Sequence, residues 1–309
     1  MTDIPLWRGG SRPETHTRSP ATAALVSFLV PGLGHVYAGR PARGLAVVLG
    51  VLACAVAILQ LTMVVPARGL RILLLLLLPL GIVAVMVDAA RVAWRVREGY
   101  VLRRWNRWYV YALLVVLSSV LSPFVIGAIN RSVAHAFRLP GTSMEPTLLP
   151  GDYIMMSPRL PAAIRCGDLV VYRDAAGQTY LHRVAAVPGD EVAMRHKVLW
   201  RNGRPVREPF AVNMDSMGNP GSEEMAWQLA FLANTAAARG YAPTRDDWGP
   251  LRVPAGRYLV LGDNRVNSYD GRWKGFVPRE AMIGRPAWIY FSRAPGGPIR
   301  WGRIGAAVR

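Results

Sequence analysis

Residues 139–153 read LPGTSMEPTLLPGDY. A single serine, Ser143, follows Pro140 and Gly141 and precedes Met144, Pro146 and a second turn, Pro150-Gly151-Asp152. Prolines and glycines at this density exclude a helix interior and describe a tight, exposed loop that presents a hydroxyl. An isolated Gly-x-Ser is ordinarily just a solvated turn, so the neighbouring segments have to decide its meaning. Upstream lies an apolar run long enough to cross a bilayer, and downstream come short β-rich runs. The loop therefore divides a helical membrane part from a β part. A serine at the exit of a membrane anchor points to work done at the membrane face.

Toward the N-terminus the chain reads as membrane. Residues 1–20 are polar, contain Pro5, Pro13 and Pro20, show no cleavable signal-peptide pattern and are expected to be a flexible tail. Residues 21–39 are apolar but short and are broken by Pro31, Gly32 and Gly34. They read as a short span or the arm of a re-entrant hairpin, with glycine-rich helix packing sufficient to account for their composition. Residues 44–65 carry no charge and have spanning length, and 72–90 form a second span with Asp88 at its interfacial end. Residues 91–108 hold interleaved arginines and aromatics, which places them on the cytoplasmic side. Residues 109–129 then leave the cytoplasm, so the chain beyond about 131 faces the far side. This gives a membrane region at 21–130 with three or four spans, and a separate domain at 131–309.

Composition agrees. Of the 309 residues, 52% are hydrophobic, and the net charge of +18 is almost all arginine, since Lys197 and Lys274 are the only lysines. Such a balance can indicate nucleic acid, but no RRM, zinc-finger or helix-turn-helix pattern is present, so nucleic acid is not expected as a partner. Arginines beside spans and attraction to anionic lipid account for the charge. Cys54 and Cys166 lie in unlike segments, lack metal-ligand spacing and are not expected to pair. No metal or organic cofactor is expected.

The domain after the loop reads as all-β. DLVVY (168–172), YLHRV (180–184), KVLW (197–200), RYLVL (257–261) and AWIYF (287–291) are strand patterns, and Asn202-Gly203 is a hairpin turn. Residues 211–248 differ and read as an insertion. Within it 222–239 carries a helical pattern that could pack on the domain or lie on the membrane.

Four stretches taken in order resemble the type I signal (leader) peptidase family: GTSMEPTL (141–148), RCGDLVVY (165–172), YLHRVAAVPGD (180–190) and GDNRVNSYDGR (262–272). The resemblance covers roughly 135–291. It implies a membrane-anchored, all-β serine endopeptidase that removes signal peptides from exported preproteins at the outer face of the bacterial cytoplasmic membrane. Partners would be preprotein signal peptides, the lipid bilayer and the translocation machinery. A peptidase specialised for one secretion or pilus system, or a degenerate relative that only binds signal peptides, are the alternatives. The chain departs from the pattern at His182, where the bacterial branch has lysine and the archaeal and endoplasmic-reticulum branch has histidine. It departs again at Val266 for aspartate and Gly271 for serine. Gly141 stands where some members carry an oxyanion-stabilising serine.

The resemblance makes Ser143 the nucleophile and His182 its base. A serine hydroxyl needs a base to take its proton. Lysine must be shifted far down from roughly 10.4 to serve, whereas histidine starts near 6.5 and needs little tuning. Histidine does need orienting, commonly by a carboxylate on its other ring nitrogen. Asp270 is the favoured carboxylate and Asp263 the next, and Ser268 could bond the imidazole. Arg183 and Arg272 are expected to pair with these aspartates. Gly141, Met144 and Pro146 flank the serine as candidate substrate-binding residues, although Met144 reads as packing rather than chemistry. Lys274 could rescue a serine–lysine mechanism only from outside the base position. His16, His35, His135 and His196 read as structural or solvated.

Overall fold

The structure, a computed structural model, describes residues 15–96, 98–138, 141–212, 219, 221–234 and 238–309. Residues 1–14 of the tail expected at 1–20, Leu139 and Pro140 of the serine loop, and part of the insertion lie outside the described residues, while Thr15–His16 form a strand and Ser19 and Pro20 start a helix, so that end of the expected tail is structured. The chain divides into two compact units, Met1–Ile129 and Asn130–Arg309.

The first unit is helical apart from one short strand pair, β1 (Thr15–His16) with β2 (Tyr100–Val101). The 21–39 run breaks into two short helices, α1 (Pro20–Leu29) and α2 (Leu33–Tyr37). Ser19 caps the first by accepting from the Thr22 N–H, and Gly32 turns the chain in the left-handed region at φ 88°. Neither helix has spanning length. Among the described residues, three helices are long and apolar enough to cross a membrane: α3 (Pro41–Val64), α4 (Arg68–Arg95) and α5 (Trp108–Ser132). Their leucines and valines point outward: Leu73 is 56% exposed and Leu113 63% exposed. Such surfaces suit lipid rather than water.

The second unit is built on two antiparallel sheets. Its strands are β3 (His135–Arg138), β4 (Asp152–Ser157), β5 (Leu169–Arg173), β6 (Thr179–Ala186), β7 (Glu191–Arg195), β8 (Val198–Arg201), β9 (Arg204–Pro205), β10 (Trp248–Arg252), β11 (Arg257–Leu261), β12 (Val277–Pro278) and β13 (Met282–Ser292). Seven form the order β12-β11-β6-β5-β13-β4-β3, and four form β10-β7-β8-β9. The five expected strand patterns all fall on strands. The exceptions in detail are Asp168, which precedes β5, and Lys197, which with His196 takes positive φ (68° and 49°) and makes the β7–β8 turn. Asn202 and Gly203, at φ 51° and 76°, make the β8–β9 turn.

The insertion packs on the domain. Its helix is shorter than expected: a 3-10 run at Glu223–Phe231, capped by the Ser222 side chain, with 232–234 not helical. Met225 and Leu232 are buried in one core cluster with Leu199, Trp248, Leu251 and Leu259, while Leu229 stays 44% exposed. A second cluster joins the serine loop to the large sheet through Met144, Leu148, Ile154, Val171, Leu181 and Ile289. Burying each such side chain is worth about 2 kcal/mol, which is what holds the loop down.

Candidate active site

Alternation along β6 sets the site. Leu181 points into the cluster beneath the serine loop, so its neighbours Tyr180 and His182 share the opposite face. On β5, Tyr172 pairs with Tyr180 and Val170 with His182. Tyr172 therefore lies diagonally across from His182, and its hydroxyl is 3.0 Å from His182 Nδ1. Ser268 Oγ is 3.5 Å from Nε2. Tyr180 stacks against both rings, at centroid distances of 5.6 Å to Tyr172 and 6.1 Å to His182.

The serine loop reaches this histidine through Gly262. The Asn264 N–H donates to the Ser143 carbonyl at 3.0 Å, and Asn267 Nδ2 donates to Thr142 Oγ1 at 3.0 Å. A Cβ added at Gly262 would collide with the Ser268 hydroxyl and stand 2.5 Å from the Ser143 carbonyl. The glycine is thus what lets the Ser143 carbonyl and the Ser268 hydroxyl approach one another. Met144 and Leu148, both 0% exposed, anchor the loop from below. Met144 accordingly packs and is not open to a ligand, whereas Gly141 and Pro146 are exposed.

Neither aspartate touches the imidazole, contrary to the sequence expectation. Asp270 is saturated: one oxygen accepts from the Arg272 N–H and Nε, the other from the Gly262 N–H and Arg272 Nη2, at 2.9–3.1 Å. Burial alone would raise its pKa, but the Arg272 guanidinium outweighs this by charge and hydrogen bond and holds it at about 2. Asp263 accepts from Arg183 Nε and Nη2, both at 2.8 Å, and from Thr147 Oγ1 at 2.6 Å. Each carboxylate has a bidentate arginine partner and spends its further bonds on backbone N–H groups or Thr147, so neither bonds the histidine. Arg183 and Arg272 take the pairing roles expected of them.

His182 is 2% exposed, and burial pushes its pKa down from 6.5 to about 4. The sequence reading expected little tuning. The difference arises because the imidazolium would lose its hydration, and the charge of Asp270 only partly compensates while Arg272 opposes it. The ring is neutral at pH 7, the state a general base must have. Lys274 is committed elsewhere: its Nζ donates to Asp174 at 2.9 Å and to the Tyr180 hydroxyl at 3.1 Å. Burial would lower its pKa, but these two bonds raise it, so it stays protonated and is no substitute base.

The sequence reading did not single out Tyr172, Thr147 or the clasp made on the fourth motif by Glu208, Phe210 and the insertion that follows them. Glu208 holds Arg265 through two 2.7 Å bonds, and the Val212 and Arg265 N–H groups donate to Asp263 and Val212 carbonyls. Phe210 lies 3.9 Å beneath the Arg183 guanidinium. Trp227 and Gln228 donate to the Arg272 carbonyl. Gly271 is also explained, because a Cβ there would stand 2.6 Å from the Val260 carbonyl. Nothing in the structure explains Val266. The register Tyr172–Tyr180 was the one usable signal: both residues are equidistant from the 174–178 turn.

The family described as signal peptidase, peptidase S26, matches residues 103–291. The chain belongs to that family. Among its relatives, a probable signal peptidase I-2 from Synechocystis is 32% identical over 62% of this chain and 76% of its own length. A signal peptidase I from Bacillus licheniformis is 31% identical over 60% of this chain and 90% of its own. A solved signal peptidase I from Enterococcus faecalis shares 25% identity over 41% of this chain and 98% of that one, with a TM-score of 0.28. This signal peptidase is thus a serine endopeptidase that removes signal peptides, and its three long apolar helices suit membrane association.

Proposed function

We propose that Ser143 is the nucleophile of signal-peptide cleavage and His182 its general base. The supporting observation is the close approach at Gly262 of the Ser143 carbonyl to Ser268, whose hydroxyl is itself 3.5 Å from His182 Nε2. Nε2 takes the Ser143 proton as Oγ attacks the scissile carbonyl carbon, then returns it to the leaving amine. The Ser143 backbone N–H faces the developing oxyanion. Gly141 and Pro146 border the bound preprotein. Ser268 bonds the imidazole. Asp263 and Asp270 contribute charge and hold their arginines, without contacting the base.

On the positive-inside argument, the arginine-rich 91–108 segment is cytoplasmic and the 131–309 domain works on the extracytoplasmic side of a bacterial cytoplasmic membrane. There it would meet preproteins as the translocation machinery releases them. The clasp that Trp227 and Gln228 of the insertion place on Arg272 of the fourth motif favours a narrow substrate set as a second reading. Cleavage of a preprotein in detergent micelles tests the assignment. Ser143→Ala and His182→Ala should each slow kcat by about 10³ or more. If either cuts at near the wild-type rate, that assignment is wrong. Complementation of a host depleted of its general signal peptidase separates a broad from a narrow substrate set.

A further inference from the structure

We propose that Tyr172 is a positioning residue that takes the place of a carboxylate: its phenol oxygen accepts the His182 Nδ1–H and so leaves the Nε2 lone pair on the side of Ser268, free to accept. The inference rests on His182 being the base. A neutral imidazole carries one proton, and the hydrogen bond at one nitrogen decides which nitrogen stays free. The Tyr172 hydroxyl is 3.0 Å from Nδ1, and the competing contact, Ser268 Oγ to Nε2, is longer at 3.5 Å. With the proton on Nδ1, Nε2 can accept from Ser143. With the proton on Nε2, the lone pair would face Tyr172 and do nothing. When Nε2 takes the serine proton both nitrogens carry hydrogen, and the tyrosine oxygen must then be an acceptor. An oxygen that accepts in both states needs no reorganisation during the reaction.

The groups facing the ring support this arrangement. Asp270 and Asp263 act on His182 only through space, since their oxygens are occupied by Arg272, Gly262, Arg183 and Thr147. Lys274 and Arg272 add positive charge that disfavours the imidazolium. Tyr172 is 2% exposed, and burial, with Asp270 nearby, pushes its pKa upward, so the group is a neutral phenol throughout. Tyr180, stacked on both rings and held by Lys274, keeps Tyr172 from swinging away. The site thereby orients its base without placing a buried negative charge in contact with it, which would cost further desolvation.

The test uses the full chain in detergent micelles with ring-¹⁵N-labelled histidine, the His182 signals being assigned by their loss in His182→Ala. Wild type at pH 7 should show His182 as the Nδ1–H tautomer, and an Nε2–H tautomer overturns the inference without any variant. Tyr172→Phe keeps the ring and removes only the oxygen. It should lower kcat about tenfold at unchanged KM, mix the tautomers, and move the acid limb of kcat/KM to lower pH. General damage to the fold would lower the amplitude without changing the tautomer or the limb. Loss of activity in His182→Ala, with wild-type rate and tautomer in Tyr172→Phe, sinks the tyrosine and leaves the base standing. Activity retained in His182→Ala sinks the base instead.

Discussion

Two histidines are almost fully buried in this protein, His35 at 0% exposure and His182 at 2%, and they have opposite surroundings. His35, on α2, has Nε2 2.8 Å from the Asp88 carboxylate, which also accepts from Arg43 at 2.7 Å. Its Nδ1 has no hydrogen-bond partner among the described residues. His182 has no carboxylate in contact, and its two nitrogens meet a phenol and a hydroxyl. The first arrangement is a tie: an imidazole, a carboxylate and a guanidinium lock α2 and the start of α3 to α4. The second keeps the ring uncharged with one lone pair open to receive a proton. Residue type and burial are the same, so the chemistry of the partners makes one a strut and leaves the other fit for the base proposed above.

The largest effect that could break this contrast comes from exchanging the roles. His182→Ala should cost about 10³ in kcat, whereas His35→Ala should change kcat by less than about threefold while lowering the melting temperature. A large kcat loss on the His35 side would mean the first unit takes part in chemistry. Next is Gly262→Ala. The added methyl must push the Ser143 carbonyl or Ser268 aside, and a displacement near 1 Å costs about 10²-fold in rate. A near-normal rate would show that the convergence at Gly262 is not needed.

The acid behaviour sharpens the contrast. His182 titrates at about 4 when folded and 6.5 ordinarily. Between those values the unfolded chain binds a proton that the folded site refuses. Stability should therefore fall as pH drops from 6.5 to 4, on the order of 3 kcal/mol from this group, and be unaffected by it above pH 7. Denaturant titrations of wild type and His182→Asn across that range should differ in slope, and equal slopes would refute the depressed value. The smallest effect is at Gly141, where a Cβ would meet nothing within 4 Å. Gly141→Ser should fold normally and raise kcat about threefold by adding an oxyanion donor. A tenfold loss in single-turnover assays would mean that the loop cannot accept the hydroxyl.

The sequence by itself determined the order of the chain: apolar spans, a Pro/Gly-bounded serine, then alternating strands. These are local signals, since spanning length, turn chemistry and period-two patterning each lie within a short window. It also brought Ser143 and His182 forward, because motif order survives without knowledge of contacts. Tertiary structure alone decided which groups touch. Asp270 looked available to His182 in sequence, yet Arg272 two residues on fills its oxygens, and Gly262 takes what remains. Tyr172, ten residues before His182, becomes its partner through the β5–β6 register. The 21–39 run split because Gly32 turns the backbone, and 222–239 shortened because its apolar residues had a core to join. Hydrogen bonds act over about 3 Å and depend on direction. Which donor wins a carboxylate, and how far burial moves a base, are properties of the packed site and cannot be read from spacing along the chain.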